Sequence, residues 1–146
     1  HQTRISADNA DDLVSGYDLV CDGSDNFATR FAVHDACFRN RKPLVSAAIL
    51  RFDGQLATWR GYEDGLPCYR CLYPEIPPEE QTCAQDGVLG AIAGVMGSMQ
   101  AVEVIKELLG LGESMAGQLL IHDALGATFR KVRVKPDPEC PLCGGG

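Results

Sequence analysis

Runs of apolar and polar residues predict an alternation of strands and helices along the first third of the chain. Residues 8–15 form an acidic, helix-like segment, and residues 17–21 are a short apolar run typical of a strand buried in a parallel sheet. Residues 22–26 are turn and helix-capping residues, after which apolar side chains recur every three or four positions from Phe27 to Phe38. We therefore expect a strand, a tight turn and a helix that ends in a basic turn before Pro43.

The middle of the chain combines a hairpin signal with a proline-rich segment. Residues 44–52 and 55–59 are β-like, and Asp53-Gly54 between them is a strong hairpin signal. We expect the hairpin turn at these two residues. The next segment, residues 61–85, collects four of the eight prolines and three of the seven cysteines. We interpret it as one long ordered loop without regular structure, held in place by its function or by a metal.

A long helix and two strands are predicted for the last third. Apolar residues at intervals of three or four predict a helix over residues 87–109, ended by Gly110. Residues 118–123 and 127–134 have the pattern of two strands joined through Gly126. The helix also carries a second stripe of small residues, which either packs against the sheet or contacts another subunit: Gly90, Gly94, Gly97 and Ala101.

Composition fits one globular domain and argues against two classes of partner. The 146 residues are 45% hydrophobic and 23% charged, with a formal net charge of -7. No basic run is longer than residues 39–42, so a surface that follows nucleic-acid phosphates is not expected. The most apolar stretch, residues 87–102, is shorter than the roughly 20 residues of a membrane span. The first residues lack the apolar core of a signal peptide, so we expect a cytoplasmic protein with reduced thiols.

Four of the seven cysteines form two C-x-x-C pairs, which is the ligand pattern of a tetrahedral zinc site. Each pair can present two thiolates to one ion from a single turn, and the two distant pairs complete four ligands without leaving a position for a catalytic water. The expected site is therefore a structural clasp between the proline-rich loop and the C-terminal tail. Disulfide bonds and a redox motif remain alternatives. The predicted zinc ligands are Cys68, Cys71, Cys140 and Cys143.

The acidic turn at residues 22–26 is the second candidate site. It follows a predicted buried strand and precedes a helix, which is where ligands bind in open α/β sheets. Two carboxylates would repel a bare phosphate, so a nucleotide site here requires Mg²⁺. The alternative is a helix cap with a solvated Asp25. Arg30, one turn further on, either reaches the same phosphates or lies on a solvated helix face.

Four segments together carry a resemblance to a known family: residues 18–30, 67–74, 83–90 and 137–143. Their sequences are DLVCDGSDNFATR, PCYRCLYP, CAQDGVLG and DPECPLC. In this order and spacing they resemble the MoeB/ThiF/HesA family, the bacterial relatives of ubiquitin-activating enzymes. The resemblance covers nearly the whole chain. It implies an α/β fold with a Rossmann-like mixed sheet, corresponding to the C-terminal half of a ubiquitin-activating-enzyme-like domain with a four-cysteine zinc clasp.

The resemblance implies a reaction and its participants. Members of this family use ATP and Mg²⁺ to adenylylate the C-terminal Gly-Gly carboxylate of a ubiquitin-like sulfur-carrier protein, of the molybdopterin or thiamin type, before sulfur is transferred. The implied partners are that carrier, a sulfurtransferase and a second copy of the chain in a homodimer. The alternative is a module that binds or scaffolds the carrier without catalysing a reaction.

The resemblance also assigns roles to individual residues. Asp25 matches the metal-coordinating aspartate of the family, Asn26 matches the neighbour that contacts the nucleotide, and Arg30 belongs with them as a cofactor-binding candidate. Cys83 matches a crossover-loop cysteine that in some relatives forms a covalent bond to the carrier. Its alternative role is that of an unreactive loop thiol. The two remaining thiols, Cys21 and Cys37, are interpreted as small core hydrophobes.

One part of the family pattern is missing from the chain. The first half of the family's domain supplies a strand followed by a Gly-x-Gly-x-x-Gly loop, an acidic ribose ligand and a phosphate-binding arginine. The chain begins at His1 without these features, and its glycines at 87–97 lie inside a predicted helix. We therefore expect residues 1–146 to be a single domain of this type that lacks its N-terminal nucleotide-binding half.

Overall fold

A mixed sheet of five strands forms the centre of the computed structural model, which describes residues 1–77 and 87–144. The strands are β1 (Val20–Asp22), β2 (Leu44–Leu50), β3 (Asp53–Trp59), β4 (Gln118–Asp123) and β5 (Thr128–Arg133), and they lie in this order across the sheet. β1 and β2 are parallel, and every later pair is antiparallel. The predicted mixed α/β sheet is confirmed.

Four helices accompany the strands within the described residues: α1 (Ala10–Ser15), α2 (Phe27–Arg39), α3 (Tyr69–Leu72) and α4 (Gly90–Leu109). The predicted strand, turn and helix are present, and the long C-terminal helix ends as expected at Gly110, whose φ of 63° is left-handed. The proline-rich loop is not entirely irregular, because α3 forms one helical turn inside it. None of the described helices has the length and hydropathy needed to span a membrane.

Alternate residues of the strands divide the core into two halves. Leu44, Ala57 and Leu119 face α1, α2 and α3 on one side of the sheet. Their sequence neighbours Val45, Leu56 and Leu120 face α4 on the other side, where they pack against Ile92 and Met96. Because both faces are covered, the central strands read as nearly continuous apolar runs.

The hairpin is present, but its turn lies two residues before the predicted position. The turn residues are Arg51 and Phe52, and Arg51 has a φ of 53°. Asp53 and Gly54 belong to β3. A Cβ at Gly54 would lie 2.5 Å from the Sδ atom of Met96, so this glycine permits α4 to approach the sheet rather than forming a turn.

The small-residue stripe of α4 does not face the sheet, so that interpretation is wrong. A Cβ built at Gly90, Gly94 or Gly97 would meet no atom of the described residues within 4 Å. The sheet-facing side of α4 instead buries Ile92, Met96 and Glu103. Subunit contact through the stripe stays a prediction. A neighbouring apolar surface of the helix is also exposed, formed by Val95, Val102, Ile105, Leu108 and Leu109.

Cys21 is exposed, which contradicts its interpretation as a core residue. It lies in β1, at the edge of the sheet, and its pairing partner Val45 faces α4. α4 packs mainly against β2 and β3. Cys37 is 1% exposed, and burial raises the pKa of its thiol to about 12. The interpretation of Cys37 as a core hydrophobe is therefore confirmed.

Candidate functional site: a cysteine cluster and an acidic turn

The four cysteines of the two C-x-x-C pairs converge on one point. Cys68 directly precedes α3 and Cys71 lies within it, whereas Cys140 and Cys143 lie in the turn near the C-terminus. All four Sγ atoms are within 4.8 Å of one another. Cys68 and Cys140 are buried, whereas Cys71 and Cys143 are partly exposed. Residues more than 60 positions apart in sequence are thus brought together as predicted.

The distances between the sulfurs fit a tetrahedral metal site. Four sulfurs at about 2.3 Å from one centre in tetrahedral geometry are about 3.8 Å from one another. The Sγ–Sγ distances are 3.5 Å between Cys68 and Cys140, 3.3 Å between Cys71 and Cys143, and 3.9 Å between Cys68 and Cys71. Each is far longer than the about 2.05 Å of a disulfide bond. The cluster can hold a metal ion with four thiolate ligands.

Close backbone packing shapes both cysteine turns. Backbone hydrogen bonds close them, from Cys71 N to Cys68 O at 3.1 Å and from Gly144 N to Cys140 O at 3.0 Å. A Cβ at Gly61 would lie 2.7 Å from the backbone nitrogen of Cys68. A Cβ at Gly144 would lie 2.4 Å from the backbone nitrogen of Cys140. Backbone atoms cannot move aside like a flexible side chain, so both positions require glycine.

A buried polar network attaches the first cysteine turn to α2. His34 is 2% exposed, and its Nε2 accepts a hydrogen bond of 3.0 Å from the backbone N–H of Tyr69, next to Cys68. Its Nδ1 lies 3.1 Å from Asp35 Oδ1, so the neutral tautomer with the proton on Nδ1 satisfies both contacts. Arg70 donates to both carboxylate oxygens of Asp35, at 2.9 and 2.6 Å. The network therefore connects α2 to both residues that follow Cys68.

The pKa values of this network fit its hydrogen bonds. Burial lowers the pKa of His34. The positive charge of Arg70 also lowers it, whereas the hydrogen bond and the negative charge of Asp35 raise it. Burial alone would raise the pKa of Asp35, but hydrogen bonds from His34 and Arg70 outweigh it and hold that pKa at about 2. A neutral histidine beside an ionised aspartate is the expected state near neutral pH.

The acidic turn lies at the carboxyl end of β1, where it was predicted. Asp22 is the last residue of β1, and its Oδ1 accepts a hydrogen bond of 2.9 Å from the backbone N–H of Ser24. Asn26 caps α2 by accepting a 2.8 Å hydrogen bond from Thr29 N, and its Nδ2 lies 3.2 Å from Asp25 Oδ1. Asp25 is exposed. Asn26 is thus a helix cap, and its neighbour Asp25 presents its carboxylate at the surface.

Arg30 holds the turn from the helix side. Its Nε and Nη2 both donate to the carbonyl oxygen of Ser24, at 3.1 and 2.9 Å, and its guanidinium lies 5.3 Å from the ring centre of Phe27. Arg30 is partly buried, so it is not on a solvated helix face. These two hydrogen bonds hold the backbone of the acidic turn.

Two cavities meet at this turn, and Asp25 and Arg30 line both of them. One has a volume of about 380 Å³ and extends from the turn between β2, β3 and Tyr73. The other has a volume of about 340 Å³ and lies between the turn and α4, beside Met96. The exposed carboxylate is consequently accessible from both faces of the sheet. Cys83, the predicted covalent site, lies outside the described residues.

The comparison of the sequence with protein families decides its membership. The model described as the ThiF family matches residues 1–142. The chain belongs to the ThiF family. It is 46% identical to the sulfur carrier protein adenylyltransferase of Thermus thermophilus over 99% of its own length and 55% of that protein. It is 49% identical to the mouse adenylyltransferase and sulfurtransferase MOCS3 over 96% of its own length and 31% of that protein.

Solved structures agree with this ThiF fold. The crystal structure of Escherichia coli MccB with ATP matches 98% of the chain and 44% of MccB, with a TM-score of 0.77 and 15% sequence identity. This similarity concerns the fold. In all three comparisons the chain covers between about a third and about half of the matched protein. The resemblance drawn from the four sequence segments is therefore confirmed at the level of the family.

Sequence reasoning missed several residues that build the two sites. The His34, Asp35 and Arg70 network was not predicted, although a histidine in the apolar spacing of a helix is a signal for a buried polar contact. The requirement for glycine at position 61 depends on packing against Cys68 and has no local signal. Gln100, which bonds to β1 and β2, was also missed because it lies 78 residues from its partner Asp22.

Proposed function

We propose that this ThiF-family chain is part of an enzyme that adenylylates the C-terminal carboxylate of a ubiquitin-like sulfur carrier. The observation that carries the proposal is the exposed Asp25 carboxylate at the end of a parallel strand, between two cavities, in a chain so similar to a sulfur carrier protein adenylyltransferase. Ligands of open α/β sheets bind in this position. The resemblance to the MoeB/ThiF/HesA family supports the same reaction.

In the proposed reaction, a carboxylate oxygen of the carrier's terminal glycine attacks the α-phosphorus of ATP. The bond from that phosphorus to the oxygen bridging to the β-phosphate breaks, and pyrophosphate leaves with the electron pair. The products are an acyl adenylate and pyrophosphate, and no proton has to be transferred. Positioning and charge neutralisation therefore account for the catalysis.

Mg²⁺ is the proposed metal of the acidic turn. The carboxylate of Asp25 would provide a hard oxygen ligand, and Mg²⁺ commonly combines one or two carboxylates with substrate phosphates. Asn26 would support Asp25 through the hydrogen bond from its Nδ2, in addition to its proposed nucleotide contact. When bound, the metal would neutralise the charge that develops on the triphosphate. The region that would hold the remaining phosphates and the ribose is proposed to lie in an N-terminal half that precedes this chain.

Zn²⁺ is the proposed metal of the cysteine cluster. A set of four thiolates with distances close to the tetrahedral value is typical of structural zinc and leaves no open position for catalysis. Arg70, which lies beside the cluster and pairs with Asp35, would offset part of the negative charge of a four-thiolate site. Metal-bound thiolates of this kind also favour a reducing compartment, so we infer a cytoplasmic protein.

The proposed partners are the carrier, a sulfurtransferase and a second copy of the chain. The exposed apolar surface of α4, formed by Val95, Val102, Ile105, Leu108 and Leu109, is our candidate for the contact between copies. Cys83 remains a candidate for a covalent bond to the carrier.

Carrier-dependent exchange of pyrophosphate into ATP tests the proposal on the full-length protein. We expect exchange with a purified ubiquitin-like carrier that ends in Gly-Gly and no exchange with the same carrier lacking its last glycine. Molybdopterin-type and thiamin-type carriers are offered in parallel, and their exchange rates show which type of carrier the enzyme activates. Binding of the intact carrier without any exchange would contradict the enzyme and favour the non-catalytic scaffold.

A further inference from the structure

One side-chain amide of α4 bonds the ends of two strands at the acidic turn. Gln100 Nε2 lies 2.9 Å from the carbonyl oxygen of Asp22 and 2.9 Å from that of Val45. Asp22 ends β1, and Val45 lies in β2, the parallel neighbour of β1. The two hydrogens of the amide are therefore both used to hold the backbone of adjacent strands, at the point where β1 opens into the turn.

Hydrogen bonds continue from Asp22 to Ser24, the residue that precedes Asp25. The carboxylate of Asp22 accepts from Ser24 N, and the carbonyl oxygen of Ser24 accepts two hydrogen bonds from Arg30. Ser24 is thus held from both sides of the sheet, by α4 through Asp22 and by α2 through Arg30. Asp25 is the next residue, and its carboxylate lies against Asn26, the cap of α2.

We infer that Gln100 is a positioning residue, which fixes the end of β1 so that Asp25 presents its carboxylate to the metal and the nucleotide. This inference rests on the proposed function, in which Asp25 binds Mg²⁺. Gln100 does not act on the substrate itself. Its role follows from a general requirement, because catalytic groups must be held within a fraction of an ångström, and a displacement of 1 Å can lower a rate on the order of 10²-fold.

Another polar residue of α4, Glu103, bonds to a different part of the fold. Glu103 is 2% exposed and lies almost one turn further along α4. Its Oε1 accepts from Thr58 Oγ1 at 3.1 Å and from Met115 N at 2.7 Å, so it attaches α4 to the middle of the sheet and to the loop before β4. None of these partners belongs to the acidic turn. Glu103→Met, which keeps the length of the side chain and removes the accepting oxygens, is therefore a matched control for a lost polar anchor of α4.

Hydrogen exchange measured by mass spectrometry on the zinc-loaded full-length protein tests the structural part of the inference. Gln100→Met keeps the length of the side chain and removes both donors. We expect at least about a fivefold faster exchange in peptides that cover residues 19–27, and unchanged exchange there in Glu103→Met. Gln100→Asn, whose amide is one methylene shorter and cannot reach both carbonyls, is a milder variant with the same expected direction. Unchanged exchange at residues 19–27 in both Gln100 variants would overturn the inference.

Mg²⁺ titration of carrier-dependent pyrophosphate exchange tests the functional part. In Gln100→Met we expect a rate about 10- to 100-fold lower at saturating substrates, a higher half-saturating Mg²⁺ concentration and an unchanged KM for the carrier. In an Asp25→Asn background the same substitution should have no further effect on the rate. Additive effects, or a loss equal to that of Glu103→Met, would overturn the positioning role. If the wild-type protein supports no pyrophosphate exchange, the proposed function fails. The hydrogen exchange of residues 19–27 then still decides whether Gln100 holds the turn.

Discussion

Replacing Cys143 by serine removes one of the four sulfurs of the cysteine cluster and should release both the metal and the C-terminal tail. The cluster joins residues that are separated by 68 others, counted between Cys71 and Cys140. Closing a loop of this length costs about 4 kcal/mol of chain entropy. Structural zinc supplies roughly 10 to 16 kcal/mol in comparable sites. The intact clasp thus has a net contribution of about 6 to 12 kcal/mol, which is similar to the whole stability of a typical domain.

The expected outcome is a large and measurable loss. Zinc content determined by mass spectrometry should be about one ion per chain in the wild type and near zero after dialysis of the Cys143→Ser variant. The melting temperature should fall by at least about 10 °C, because each kcal/mol corresponds to about 2 to 4 °C in a domain of this size. Cys21→Ser is the matched control, since Cys21 is exposed and far from the cluster in sequence. A Cys143→Ser protein that keeps its zinc and its melting temperature would refute the structural clasp.

Three further predictions concern the buried polar network around His34, the packing of α4 and the exposed surface of α4. Burial lowers the pKa of His34 below 6.5, so the unfolded chain binds a proton there that the folded protein does not, and stability should fall as the pH drops below 6.5. His34→Gln should remove this part of the pH dependence, as measured by urea unfolding at several pH values, and an unchanged slope would contradict the assignment. Gly54→Ala should cost about 1 to 3 kcal/mol because of the overlap with Met96, and this cost should shrink in a Met96→Ala background; equal costs in both backgrounds would show that the overlap is not the cause. Val102→Asp on the exposed surface of α4 should convert a dimer of the full-length protein into a monomer in light-scattering measurements, and a persistent dimer would exclude this surface as the contact.

The parts of the fold that follow from local sequence signals could be predicted. The helical spacing from Phe27 to Phe38 and the run of turn and capping residues before it led to α2, which the structure shows to be capped by Asn26. The left-handed Gly110 at the end of α4 is a similarly local signal. The two C-x-x-C pairs indicated a long-range contact because metal ligation imposes its own spacing on the chain. These features need little knowledge of how distant segments pack.

The predictions that failed depend on contacts between distant segments. Gly54 was interpreted as a turn residue. Its missing side chain instead leaves room for Met96 of α4, which lies 42 positions later in the chain. Cys21 was interpreted as buried because its strand is apolar, yet Cys21 is exposed and α4 packs mainly against β2 and β3. The stripe of small residues on α4 points away from the sheet because the larger side chains Ile92 and Met96 occupy the face of the helix that packs against it. Periodicity shows that a helix has faces, but the packing partners decide which face is covered.

The central claim is that the acidic turn is the metal and nucleotide site of an adenylyltransferase, and the Mg²⁺ dependence of its reaction tests this most directly. Carrier-dependent pyrophosphate exchange is measured across Mg²⁺ concentrations for the full-length wild type, Asp25→Asn and Asp18→Asn. Asp18 is an exposed carboxylate just before β1 and is the matched control for the loss of one negative charge. We predict a loss of at least on the order of 10²-fold in Asp25→Asn, because a metal ion's charge stabilisation amounts to several kcal/mol, and a rate close to wild type in Asp18→Asn. An Asp25→Asn enzyme with wild-type rate and wild-type Mg²⁺ dependence would contradict the claim.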